Sequence, residues 1–132
     1  MGFRCAAVAI GLLALGGCGS QDQGAANSTR EIRVQSDEQK QLHQLNALNL
    51  GIGLKRAIYD AGYSCSRVTD AGFVGTYKNL DEWMARCPNR DWAVFAGPDG
   101  SAQVRDCKDL VGTGLPPCVI KERPKGKFNG AG

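Results

Sequence analysis

Six cysteines, a single histidine and a few neighbouring carboxylates are the side chains of this 132-residue chain whose types and spacing could do chemistry. His43 is the sole imidazole, and a histidine acting as a base needs a nucleophile and an orienting third group close in space. No Gly-x-Ser-x-Gly elbow, phosphate-cradling glycine loop or His-Glu-x-x-His pair accompanies it. His43 therefore reads as an exposed helical residue. Asp81 and Glu82 are adjacent, and Asp106 and Asp109 flank Cys107, but glycoside hydrolysis requires two carboxylates held across a substrate at a set separation. Adjacency does not supply that, so no catalytic residue and no cofactor are expected.

The cysteines carry more. Cys65, Cys87, Cys107 and Cys118 lie in the body of the chain without a Cys-x2-Cys knuckle, which argues against structural zinc and against dithiol redox catalysis. An even number of thiols in a small exported domain reads instead as two disulfides. Of the three possible pairings, Cys65–Cys87 and Cys107–Cys118 are favoured because each closes a short local loop, contributing about 3 kcal/mol apiece. Export is read from the N-terminus: Arg4, an apolar stretch from Ala6 to Leu15, and small residues before a cleavage point. That stretch is well short of the roughly 20 residues that cross a bilayer, and Gly16, Gly17 and Gly19 oppose continuation of a helix.

The stretch ends in Leu15-Gly16-Gly17-Cys18, which resembles a bacterial lipobox. The resemblance implies that Cys5 is discarded with residues 1–17, and that the Cys18 sulfur receives a diacylglyceryl group with an acyl chain, typically palmitate, on the new amino terminus. Each buried methylene adds about 0.8 kcal/mol, so several chains make attachment effectively permanent without help from the protein surface. Position 19 is Gly rather than Asp, which in lipoproteins of this class favours the periplasmic face of the outer membrane. Membrane lipid held through Cys18 is thus the one partner implied directly.

Removing 17 of 132 residues leaves 115, enough for one small domain. The formal net charge of +3 falls to +2 once Arg4 is lost, which argues against a nucleic-acid binder with its concentrated basic face. The local exception is the basic run Lys121–Lys127, read as part of a solvated, disordered tail over 121–132. Residues 19–35 are polar and lack apolar periodicity. With Cys18 they form a flexible tether reaching on the order of 20 Å, and the folded domain is expected over 36–120.

Positioning elements follow from local patterns. Ser36-Asp37-Glu38-Gln39 matches a capping box, opening a helix whose apolar stripe includes Leu42, Leu45, Ile52, Leu54 and Ile58 and which stops at Gly62. Gly51 and Gly53 in mid-helix cost about 2 kcal/mol relative to alanine; a kink, a break into two helices or close packing on a sheet would each explain them. Tyr63–Val68 alternates and reads as a first strand, while Asp70–Asn79 reads either as an irregular strand or as a loop. Trp83–Cys87 and Trp92–Ala96 flank the turn residues Pro88–Asp91 and form a hairpin. Gly97-Pro98-Asp99-Gly100 marks a second hairpin, with Ser101–Arg105 returning. Trp92 is expected in the core, with Val94 and Ala96 on its face and Phe95 on the other.

The fold class is therefore α+β: one N-terminal amphipathic helix, possibly kinked, packed on a three- or four-stranded antiparallel meander. The stretch Asp91–Cys107, with Ala61-Gly62-Tyr63-Ser64-Cys65 before it, is similar to a group of small proteobacterial envelope proteins that have no assigned activity. It implies a single exported domain and no catalysis. Helix-then-meander order is also similar to the small lipoprotein of the outer-membrane barrel assembly machinery, as an analogy of fold. The expected function is a membrane-anchored, non-enzymatic module binding an envelope protein or polymer. The alternatives are a small envelope hydrolase using His43 and the acids, and an inhibitor of a lytic enzyme using the basic tail or the Pro98-Asp99 turn.

Overall fold

Residues 35–128 are described in the computed structural model of the chain. The expected export segment 1–17, Cys18 and the expected tether up to residue 34 lie outside the described residues. The order is α1 (Asp37–Gln44), α2 (Ala47–Asp60), β1 (Asp70–Tyr77), β2 (Leu80–Arg86), β3 (Asp91–Ala96), β4 (Ala102–Asp106) and a 3-10 turn, Cys107–Leu110. All neighbouring strands are antiparallel, in the sheet order β1-β2-β3-β4. The α+β meander and both favoured disulfides, Cys65–Cys87 and Cys107–Cys118, are present.

The helical layer starts at the expected capping box: Gln39 N donates to Ser36 Oγ and Ser36 N donates to Gln39 Oε1, both at 3.2 Å. Gln39 does a second task, since its Nε2 donates to the carbonyls of Asn79 (2.9 Å) and Ala96 (3.1 Å). One buried amide thereby starts α1 and fastens it to the ends of β3 and the β1–β2 turn. The helix does break in two, but at Asn46 rather than at the glycines. Asn46 Oδ1 accepts from Asn49 N at 2.9 Å and caps α2, while Leu45 is extended. Gly51 lies against the Phe128 ring and Val68, so close packing explains that glycine. At the far end, Gly62 takes φ +87°. Its N–H reaches Tyr59 O and the Tyr63 N–H reaches Ile58 O, a paired C-cap.

Tyr63–Val68 is not a strand, which corrects the expectation. The place beside β2 is taken by Asp70–Tyr77, which pairs with it from Asp70↔Arg86 to Tyr77↔Leu80 around a bulge between Phe73 and Gly75. Residues 63–68 are held instead as a loop by the Cys65–Cys87 bond and by Lys55 Nζ, which donates to Ser66 O at 2.8 Å. The two hairpins fall where the turn residues put them, with Trp83↔Val94 and Ala85↔Trp92 in the first and Phe95↔Gln103 in the second.

The stretch from Lys121 to Phe128 is likewise not a disordered tail, so the domain runs past residue 120. Phe73 at the edge of β1 has an N–H and a carbonyl that β2 does not use, and an unpaired edge is a template for another strand. The N–H of Phe73 donates to Glu122 O, and Lys121 N donates to Phe73 O, both at 2.8 Å. Arg123 then grips Asp70 with Nη2–Oδ2 at 3.0 Å and Nε–Oδ1 at 3.3 Å. Lys125 O accepts from Ala47 N, carrying the segment back to α2.

Both sheet faces are covered. Trp83, Ala85, Trp92, Val94 and Ala96 pack under Leu50, Leu54 and Ile58, as expected for Trp92. Phe95 and Ala93 pack under Leu110, Leu115 and the Cys107–Cys118 loop. A Cβ at Gly72 would run into the Glu122 carbonyl and Ile120, whereas one at Gly53 would meet nothing within 4 Å. Gly72→Ala should therefore destabilise the domain by about 2 kcal/mol, and Gly53→Ala should stabilise it by about 0.5–1 kcal/mol, read as opposite shifts in denaturant midpoint. Gln39→Glu keeps the capping acceptor but sets a carboxylate against two carbonyls, and should cost at least about 2 kcal/mol in the same assay.

Candidate functional site

His43 sits in the last turn of α1 and is not the exposed residue the sequence suggests. Its side chain is 25 % exposed, and its Nε2 lies 3.2 Å from Oδ2 of Asp81, which is fully buried. Gln35 Nε2 donates to the same oxygen at 3.1 Å and approaches His43 Nε2 to 3.1 Å. A carboxylate can only accept, so the Nε2-protonated imidazole donates to Asp81, whereas the other tautomer accepts at Nε2 from Gln35. The ring is edged by Phe73 and Trp83, with centroids 4.6 and 4.8 Å away. A buried carboxylate is thus met by Gln35 and His43, and the imidazole is flanked by aromatics. Among the described residues no hydroxyl or thiol is hydrogen-bonded to His43, so the arrangement holds α1 on the sheet and lacks the nucleophile that acyl transfer requires.

The adjacent acids separate in space. Asp81 points to the helical side, while Glu82 lies opposite Phe95 on β3 and Gly75 on β1, toward the other face. Glu82 is buried and neither carboxylate oxygen has a hydrogen-bond partner. Burial pushes its carboxyl up to about 7, against an opposing pull from Lys121. Asp106 is engaged elsewhere: Oδ1 accepts from Lys108 N at 3.0 Å, starting the 3-10 turn, and Oδ2 pairs with Arg90 Nη1 at 3.3 Å. No pair of these acids faces another across an open cleft.

The aromatic side chains of the strand region divide in the same way. Phe73 and Trp83 are in mutual contact on the helical side, with centroids 5.4 Å apart. Phe95 lies on the opposite side, and Tyr77 carries Lys78 over its ring. These residues form no common surface. The four body cysteines are all oxidised in disulfides, which removes them as metal ligands. Among the described residues no helix is long and apolar enough to cross a membrane.

Two concavities bear on binding. A groove of about 340 Å³ runs between the helices and the β3–β4 turn, floored by Leu54, Trp83, Val94 and Ala96. A second, of about 500 Å³, opens between the end of α2 and the β2–β3 turn. Its rim holds Tyr59 and Tyr63, 68 % and 45 % exposed, and facing them are Asn89 and Arg90. Sequence reasoning gave none of these four residues a role in a site. The available signal was the Cys65–Cys87 pairing, which brings Ser64 beside Pro88 and so places the tyrosines across from the turn. No family model, curated protein or solved structure matches the chain.

Glu82 has a measurable consequence. A carboxyl whose folded-state value is raised loses stability as the unfolded chain ionises first, so stability should fall as pH rises from about 4.5 to about 7 and level off above it. The loss attributable to this group is on the order of 2–3 kcal/mol. Glu82→Gln should remove that slope and be the more stable form at pH 8, measured by urea unfolding across pH.

Proposed function

We propose that this chain is an exported lipoprotein, anchored by acyl chains at Cys18, whose domain binds another component of the bacterial envelope and catalyses no reaction. The observation that carries the reading is the joining of all four body cysteines into two local disulfides. Such bonds form and persist outside the reducing cytoplasm, the destination that the apolar segment before Cys18 specifies in sequence. Binding is favoured over catalysis because the side chains suited to acid–base work are committed to packing: His43 to Asp81, Asp106 to Arg90 and the Lys108 amide, and Glu82 to a dry site. Gly19 favours the periplasmic face of the outer membrane as the address.

Intact-mass analysis of protein isolated from its own membranes tests the anchor. Loss of residues 1–17, added mass of a diacylglyceryl thioether and acylated amino terminus, and oxidation of all four body cysteines are expected together. Cys18→Ser should abolish incorporation of labelled fatty acid and leave the precursor uncleaved. Full-length, unmodified polypeptide with free thiols in the soluble cytosol would refute the reading.

A further inference from the structure

We propose that the cleft between the end of α2 and the β2–β3 turn is a binding site for an anionic saccharide. The inference deepens the binding-module reading by naming the ligand class, and it is independent of the lipid anchor.

The cleft has two lobes that share Tyr59, Ser64 and Asn89, of about 500 and about 340 Å³, within the range of roughly 300–1,000 Å³ typical of small-ligand sites. Its walls are preorganised. One is the α2 cap and the loop through Ser64, the other is the turn at Pro88–Arg90, and Cys65–Cys87 joins them covalently at the base. A site whose walls are already fixed loses little entropy on binding.

Lining chemistry selects the ligand. Two exposed tyrosine rings offer flat apolar planes with hydroxyl tips, and the C–H face of a pyranose ring is complementary to such a plane. Tyr63 cannot swing freely, because its ring lies on Trp92 with centroids 4.6 Å apart and Arg90 covers the same indole at 5.3 Å. Asn89 and Ser64 add a planar amide and a hydroxyl suited to sugar hydroxyls. Trp92 itself lines the larger lobe beneath Tyr63.

Charge decides the rest. Lys55 and Arg90 line the lobes, and among the described residues no carboxylate lines either. Lys55 Nζ spends one donor on Ser66 O, and Arg90 pairs with Asp106 through Nη1, leaving further N–H groups on both for a carboxylate or phosphate. An apolar protein helix would leave these donors unpaired in a dry interface, which is costly. A neutral glycan would use the tyrosines and leave the cations idle.

The test is titration of the full-length protein in detergent with four probes: a tetragalacturonate, a phosphorylated tetrasaccharide, neutral cellotetraose and inorganic phosphate. Binding is followed by calorimetry and by tyrosine and tryptophan side-chain NMR. Saturable binding of at least one anionic saccharide is expected, at least tenfold tighter than cellotetraose and than phosphate alone. Tyr59→Ala and Lys55→Gln should each weaken it about tenfold or more, the latter with a reduced salt dependence. Ile52→Ala, exposed on the same helix beyond the cleft, should leave it unchanged. Tyr59 and Ile52 are exposed, whereas Lys55 is half-buried and also donates to Ser66 O, so thermal melts accompany the comparison and Tyr59→Ala decides it if Lys55→Gln lowers the melt.

No saturable binding of either anionic saccharide would overturn the proposal. So would equal affinity for cellotetraose, or equal weakening by Ile52→Ala, which would mark a flat helix-face contact. Binding to anionic phospholipid vesicles with the Tyr59 and Lys55 dependence, and none to saccharides, would make the site a membrane contact and sink it too. Because acyl mass at Cys18 is read separately, failure here leaves the anchor standing, and loss of the anchor leaves this site standing.

Discussion

The middle of the sheet is apolar on both sides, and the rest of the domain answers to that. β2 and β3 are buried along almost their whole lengths rather than at alternate positions. A helical layer can cover only one face of a sheet. The second cover comes from the C-terminal part of the chain, through Leu110, Leu115 and the Cys107–Cys118 loop. Such a loop lacks the internal hydrogen bonds of a helix, and its disulfide compensates by restricting the alternatives open to it. Continuing past Cys118, the chain reaches the outer edge of β1 and closes it at Phe73.

Two-sided burial also governs the charges. In a strand, neighbours point to opposite faces, so Asp81 and Glu82 enter different environments. Asp81 meets donors from Gln35 and His43 on the helical side. Glu82 meets Phe95 and a glycine, with the Lys121 ammonium as its electrostatic counterweight. The first acid helps hold α1 in place. The second makes stability depend on pH near neutrality, because ionising it in a dry site is costly.

Both disulfides tie irregular segments to the sheet, and the regular elements hold through ordinary burial and pairing. Cys65–Cys87 fixes the loop after α2 against the β2–β3 turn, and the rigid cleft with its two tyrosines follows from that one bond. An acyl anchor of the kind proposed at Cys18 would free the folded surface from any need to hold the membrane. The surface would then be available for recognition, and the tyrosine cleft offers it a polar concavity.

Local signals in the sequence were sufficient for the capping box at Ser36, the stop at Gly62, both hairpins and the pairing of cysteines by loop length, since each depends on residues within one or two turns of chain. They also placed Trp92 and Phe95 on opposite faces, because strand period is a property of the backbone alone. Competition between distant segments was decided only by tertiary structure. Asp70–Tyr77 displaced Tyr63–Val68 beside β2 since one edge admits one strand, and Lys121–Phe128 folded back since the other edge of β1 had groups left to pair. His43 met Asp81, and Tyr59 came to line one cleft with Asn89, across 38 and 30 residues of sequence. Contacts at that separation depend on how the layers stack, which no local pattern encodes.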